Sequence, residues 1–84
     1  MADTTVALEQ ALALLAEGRW QQAHDIVQKE HSVLAAWLHG IVHTLEGDLD
    51  NARYWYAKTS RPFPGPDAVK DEIAAARQAL TGGA

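Results

Sequence analysis

The residues of this sequence that could carry chemistry are histidines and a nearby glutamate. His39, His43 and Glu46 are spaced i, i+4 and i+7, so on a helix they share one face within an arc of about 60°. Two imidazoles one turn apart, with a carboxylate nearby, suit zinc and other divalent transition metals. His24 is the natural source of a further ligand, because it lies on the inward side of its own predicted helix. These four residues form a candidate ligand-binding site, in which His39 and His43 are the candidate metal ligands.

The same histidines have two other interpretations. The pattern favours a hydrogen-bonded polar network inside a helical hairpin over a metal site, because the zinc motif His-Glu-x-x-His is absent. Solvent-exposed histidines without a shared role are the second alternative. Under both alternatives no cofactor is expected, whereas the metal interpretation predicts zinc or another divalent transition metal.

Catalysis receives little support from the remaining residues. Histidine titrates near neutral pH and Glu46 could orient one ring, which are properties that acid–base catalysis requires. Ser32 and Ser60 are the only serines, however, and neither lies in the sequence context of a nucleophile. No Gly-rich phosphate-binding loop is present. The sequence therefore predicts no catalytic residues and argues against an enzyme.

Three consecutive aromatic residues, Tyr54, Trp55 and Tyr56, form a second notable feature. Adjacent residues of a helix cannot all face one way, and Tyr56 shares its side with the apolar residues of its segment, so we expect it to pack inside. Tyr54 or Trp55 should then point away from that side. This residue either packs beneath the last helix or forms an exposed aromatic anchor for a partner chain. Tyr54 and Trp55 are therefore the candidate interaction surface.

Two seven-residue segments, 29 residues apart, share the pattern Glu-Gly-x-apolar-polar-polar-Ala. These segments are residues 17–23 and 46–52. Such a repeat predicts two copies of one structural unit. Gly18 and Gly47 fall where a helix should end, since glycine adopts the left-handed conformation that closes a helix C-terminus. Asp48 can cap the following helix, whereas Arg19 at the equivalent position is a poor cap, so we expect the first turn to be looser.

Apolar residues recur at helical spacing between these turns and near the C-terminus. The spacing predicts five helices, at about 5–17, 20–30, 32–46, 48–60 and 67–81. Because the connections are short, neighbouring helices should pack antiparallel. The whole chain, 1–84, is thus predicted to be one all-α domain, with hairpin 1 at about 5–30, hairpin 2 at about 32–60, a Pro-rich connector at 61–66 and a C-terminal capping helix at 67–81. Glu72 and Arg77 are assigned to the solvated face of that last helix.

The two predicted hairpins resemble tetratricopeptide hairpins. The residues that carry this resemblance are Gly40, Gly47, Leu49, Ala52, Tyr56 and Pro64 in the second copy, and Gly18, Trp20 and Ala23 in the first. The resemblance implies helix pairs that stack to form a concave wall on which protein segments dock. Two hairpins are fewer than a stable array normally needs, so the last helix should cap the stack or the domain should dimerise. The stretch from Ala36 to Tyr56 also resembles a small bacterial and fungal family of short proteins, a resemblance that implies no activity.

Composition restricts the classes of function. The 84 residues carry a net charge of -4, and the seven Lys and Arg residues form no basic run, so no nucleic-acid partner is expected. The start, Met1-Ala2-Asp3, lacks the basic segment of a signal peptide, and no apolar stretch is long enough to span a bilayer. We therefore expect a cytoplasmic protein without membrane contact. The leading hypothesis is a helical-repeat interaction or scaffold module with a protein partner or self-association, and the alternative is a small-ligand or metal-binding domain.

Overall fold

A computed structural model describes residues 4–82, and within this range every regular element is helical. The elements in chain order are α1 (Thr4–Ala16), α2 (Trp20–Val27), α3 (Val33–Glu46), α4 (Leu49–Tyr56) and α5 (Val69–Leu80), the last preceded by a 3₁₀ turn at Pro66–Ala68. The prediction of an all-α chain with five helices is confirmed. None of the helices between residues 4 and 82 combines the length and the apolar composition that crossing a membrane requires.

The turns after α1 and α3 differ as their sequences predict. Gly18 and Gly47 both adopt the left-handed conformation, with φ of +78° and +91°. Asp48 then caps α4, because its side chain accepts a hydrogen bond from the backbone N–H of Asn51 at 3.3 Å. Arg19 provides no such side-chain cap for α2. The second turn is therefore the better defined of the two.

Helices α2 and α4 each end three or four residues before the predicted ends at 30 and 60. After Val27 and Tyr56 the chain continues in tight turns whose N–H groups donate to carbonyls three residues back, as Glu30 does to Val27 and Thr59 to Tyr56. The Thr59 hydroxyl also donates to the Tyr56 carbonyl, at 2.7 Å. Helix α5 begins two residues later than predicted, because Pro66 opens a 3₁₀ turn instead of the α-helix itself.

Helix α3 lies at the centre of the domain and packs against all four other helices. Residues 35–44 of α3 are all buried, so nearly every face of this segment meets another helix. The largest buried side chains come from α1 and α3 and from the end of α2: Leu8, Leu12, Leu15, Val27, Leu38, Ile41 and Val42. Polar residues in the middle of α3 are consequently held inside the domain, where burial is costly unless they have partners.

Helix α5 is attached to this centre partly through a buried carboxylate. Glu72, which the sequence assigns to the solvated face, is 7% exposed, so that expectation is wrong. Its Oε1 accepts hydrogen bonds from the indole N–H of Trp37 at 3.1 Å and the hydroxyl of Tyr56 at 2.7 Å. Its Oε2 accepts one from the guanidinium of Arg61 at 2.8 Å. Glu72 therefore joins α5 to α3, α4 and the connector.

Candidate functional site

Three histidines converge where α2 packs against α3. His24 comes from α2, and His39 and His43 come from successive turns of α3. The ring centroids are 4.8 Å apart for His24 and His39, 5.4 Å for His24 and His43, and 5.0 Å for His39 and His43. One ring nitrogen from each residue can be chosen so that all three lie within 4.8 Å of one another. We call these three residues the histidine cluster.

The helices explain why the cluster forms. The i, i+4 spacing places His39 and His43 one above the other on α3, on the side that meets α2 and α4. Both are buried, with 5% and 8% of their surface exposed, and His24 is half-buried. Trp55 of α4 covers His39, with its ring almost parallel to the imidazole, at an angle of 8° and a centroid distance of 3.8 Å. His39 is thus held between Trp55 and the other two rings.

Glu46 lies next to His43, one turn further along α3. Its Oε1 lies 2.7 Å from Nδ1 of His43, and its side chain is 35% exposed. A carboxylate accepts hydrogen bonds, so Nδ1 of His43 is the donor, and in the neutral imidazole this leaves the lone pair on Nε2. Glu46 belongs to a second group, which consists of His43, Glu46 and the exposed Asp48. It therefore orients one ring of the cluster, in the way that carboxylates orient metal-binding histidines in proteins.

The cluster has few hydrogen bonds of its own. Among residues 4–82, the hydrogen bond between His43 and Glu46 is the one that a ring nitrogen of the cluster makes with a protein group. The rings meet one another through edge-to-face and stacked contacts. A structural polar network would join them through N–H donors and acceptors, because buried polar groups are normally hydrogen-bonded. The geometry leaves nitrogens of His24 and His39 available to a ligand.

Electrostatics keep the centre of the cluster neutral. Burial is the main reason that the pKa of His39 falls from 6.5 to about 4, and repulsion from His24 and then His43 lowers it further. His39 is consequently an uncharged imidazole at pH 7. The neutral form is the one that binds metal ions, so protons compete weakly for this ligand near neutral pH.

A cleft of about 370 Å³ adjoins the cluster between the end of α2, the start of α3 and the end of α4. His39 and Trp55 belong both to its lining and to the surroundings of the cluster. The cleft also contains small apolar groups, including Val27 and Ala36, and the charged side chain of Lys58. The opening therefore reaches the most buried histidine from outside.

The three consecutive aromatic residues have three different surroundings. Tyr54 is 56% exposed, so it is the outward-facing residue that the sequence predicts. Trp55 is half-buried on His39, and Tyr56 is buried against Glu72. The contact between Trp55 and His39 is absent from the sequence-based expectations, since no local spacing joins residues on two different helices.

Comparisons of the chain with protein-family models, with curated proteins and with solved structures find no match. The chemistry of the histidine cluster and its neighbouring cleft is therefore the basis on which a function is inferred.

Proposed function

We propose that this protein binds a divalent transition metal ion through His24, His39 and His43. The observation that carries the proposal is the convergence of three ring nitrogens within 4.8 Å. Zinc–nitrogen bonds of about 2.0–2.1 Å in a tetrahedral site place ligand nitrogens about 3.3 Å apart. The three rings therefore have to move closer together when an ion binds. Imidazole donors alone suit zinc, copper, nickel and cobalt.

Three further properties support a metal site over a structural role. His39 is neutral at pH 7 because of its burial, so its lone pair is available. His43 is oriented by Glu46 through Nδ1, which directs Nε2 away from the carboxylate. The Trp55 ring restricts the rotation of His39 by stacking on it. Ligands that are neutral, oriented and restricted in this way lose little entropy when a metal binds.

The number of ligands indicates the kind of site. Structural zinc sites normally have four protein ligands, whereas catalytic and exchangeable sites have three and keep one position for water or another molecule. The cluster supplies three ligands from the described residues. We therefore expect an ion that exchanges with solution and accepts an external ligand.

Metal titration of untagged protein tests this proposal. Co²⁺ gives visible absorption bands that report nitrogen coordination, and competition with a chromogenic chelator gives the affinity for Zn²⁺. We expect one ion per chain, and at least a tenfold loss of affinity in His24→Ala and in His43→Ala. Glu46→Gln should weaken binding by about 10–100-fold, as substitutions of orienting carboxylates do.

His31 provides a matched control. It is the fourth histidine of the chain, it is exposed, and it lies outside the histidine cluster. His31→Ala should bind Co²⁺ and Zn²⁺ as the wild type does. Equal affinities in His24→Ala, His43→Ala and His31→Ala, with all variants folded by circular dichroism, would refute the proposed site.

A second candidate is the helical-repeat interaction module, with tetratricopeptide-like hairpins and a protein partner or a second copy of the chain. The observation that favours it is the exposure of two large apolar side chains at the same cleft, Tyr54 at 56% and Val33 at 64%. Exposed aromatic residues are common anchors of protein interfaces. Sedimentation of wild type and Tyr54→Ala tests self-association, and a monomer at all concentrations for both proteins counts against it.

A further inference from the structure

The cleft and the histidine cluster share His39, on which Trp55, a second lining residue of the cleft, is stacked. We infer that the cleft binds a small organic carboxylate, whose carboxylate group occupies the remaining coordination position of the metal ion. This inference rests on the proposed metal site and names the class of ligand that the site takes.

The first argument is the coordination number. The described residues bring three nitrogen ligands together, and zinc and cobalt commonly take a fourth. Carboxylate oxygens are good ligands for this position, with zinc–oxygen distances of about 2.0–2.2 Å. Glu46, the nearest carboxylate on α3, is already bonded to His43 at 2.7 Å. The fourth ligand therefore has to come from outside the cluster.

The second argument is the shape and lining of the cleft. Its volume of about 370 Å³ lies within the usual range of pockets for small molecules, about 300–1,000 Å³. Val27, Ala35 and Ala36 provide an apolar floor, and the indole of Trp55 provides a flat wall. An apolar or aromatic body attached to the carboxylate would bury surface against these groups.

The third argument is charge. The ammonium group of Lys58 lies 4.7 Å from the ring centre of Tyr54 and 5.5 Å from that of Trp55, so a lysine already covers the aromatic faces at the mouth. A cationic ligand would have to displace it. Lys58 and a bound dication together outweigh the one carboxylate of the lining, Glu30. The cleft therefore favours a monoanion.

Titration of the Co²⁺-loaded protein with benzoate tests the inference, with benzamide as the uncharged molecule of similar shape. We expect benzoate to shift the visible cobalt bands in a saturable way and benzamide to leave them unchanged. Acetate, which lacks the apolar body, should bind more weakly than benzoate. Bound cobalt is measured after gel filtration, and a spectral change caused by loss of the metal would overturn the inference.

Charge reversal at Lys58 gives the second arm of the test. Lys58→Glu should weaken benzoate binding by about tenfold, because it turns an attractive partly exposed charge into a repulsive one. Lys29→Glu is the matched control, since Lys29 is an exposed lysine outside the cleft. An equal effect of the two substitutions would place the carboxylate elsewhere and overturn the inference.

The two proposals fail in different ways. A wild-type protein that binds no Co²⁺ overturns both the metal site and the ligand. A protein that binds Co²⁺ through the histidine cluster, but whose bands do not respond to benzoate, retains the metal site and overturns the carboxylate alone.

Discussion

Replacing Glu72 by glutamine changes one atom at the centre of the contact between α5 and the rest of the domain. Oε1 accepts from Trp37 and Tyr56, and Oε2 accepts from Arg61. Glutamine can keep the first two bonds through its carbonyl oxygen. Its amide N–H₂ then faces the guanidinium of Arg61, so a donor meets a donor where a charge-assisted hydrogen bond existed.

The size of the effect follows from these contacts. A hydrogen bond between charged groups contributes about 1.5–3 kcal/mol to stability, and the 40% exposure of the Arg61 side chain reduces the loss because water can replace part of the partner. We therefore expect Glu72→Gln to lower the free energy of unfolding by about 2 kcal/mol. For a domain of this size the melting temperature should fall by about 8–16 °C.

Urea denaturation followed by circular dichroism measures this change, and Asp71→Asn is the control. Asp71 precedes Glu72 on the same helix and is exposed, so its substitution removes the same charge without touching a buried contact. Asp71→Asn should change stability by less than about 0.5 kcal/mol. Equal losses in the two variants would show that net charge, rather than the buried hydrogen bonds, is responsible.

The pH dependence provides an independent check of the same reasoning. Burial acts to raise the pKa of Glu72, but hydrogen bonds from Arg61, Tyr56 and Trp37 outweigh it and hold the pKa below its ordinary value of 4.5. The unfolded chain therefore takes up this proton first as the pH falls, and the stabilisation present above pH 4.5 is lost as the pH drops through the lowered pKa. The stability of Glu72→Gln should decline less in this range, and parallel pH profiles would refute the assignment.

Four other substitutions test separate parts of the structure. A Cβ at Gly40 would lie 2.5 Å from a ring carbon of Tyr56. Gly40→Ala should therefore lower the free energy of unfolding, measured by urea denaturation, by about 1–3 kcal/mol. An unchanged denaturation midpoint would contradict the close packing. The pKa of buried His39 is about 4, so between about pH 6.5 and 4 the unfolded chain takes up a proton at this residue and the folded chain does not. Over this range the free energy of unfolding of metal-free wild type should fall by about 1–2 kcal/mol more than that of His39→Phe. Equal losses would show that His39 is not held neutral. Asp48→Ala should lower the free energy of unfolding by about 0.5–2 kcal/mol, because α4 loses its side-chain cap. Arg19→Asp should raise the melting temperature, because it supplies the cap that α2 lacks. A lower melting temperature in Arg19→Asp would show that α2 begins differently.

The backbone of this protein was largely predictable because its signals are local. The turn glycines, the Asp48 cap and the apolar spacing each act over one or two turns of chain, and they correctly indicate five helices. The helix ends after Val27 and Tyr56 were less predictable, since the chain continues there in tight turns that follow the helix without a break. Local signals thus give the elements and leave their exact lengths open.

The burial of Glu72 was not predicted from the sequence, for a different reason. Glu72 lies three residues after Val69 and four before Ala76, so its spacing places it on the apolar stripe of α5. Its charge favours a position in solvent, whereas its spacing favours burial. Its partners Trp37 and Tyr56 belong to other helices, and the sequence around Glu72 does not predict these contacts. A charged residue on an apolar stripe should therefore be considered for a buried network.

The candidate site also has parts that the local sequence predicts and parts that only the tertiary structure shows. The i, i+4 spacing of His39 and His43 and the inward side of His24 were sufficient to predict that the three could meet. The spacing of Glu46 also places it near His43, and the two side chains form a hydrogen bond of 2.7 Å. The stack of Trp55 on His39 requires the packing of α4 on α3, which only the tertiary structure provides.

The folding stability that the chain loses by burying histidines is relevant to the proposed role of the histidine cluster. Burying His39 removes much of the water around its imidazole, which lowers the stability of the metal-free chain, and a domain of 84 residues has a total stability of only about 4–13 kcal/mol. An ion that binds only the folded chain at 100 times its dissociation constant would add about 2.7 kcal/mol, and it would link α2 directly to α3. We therefore expect a chelator to lower the melting temperature of metal-loaded wild type and to lower that of His24→Ala by less. If the chelator has no effect on the loaded wild type, the cluster does not couple metal binding to folding, and the burial of His39 and His43 would need another explanation.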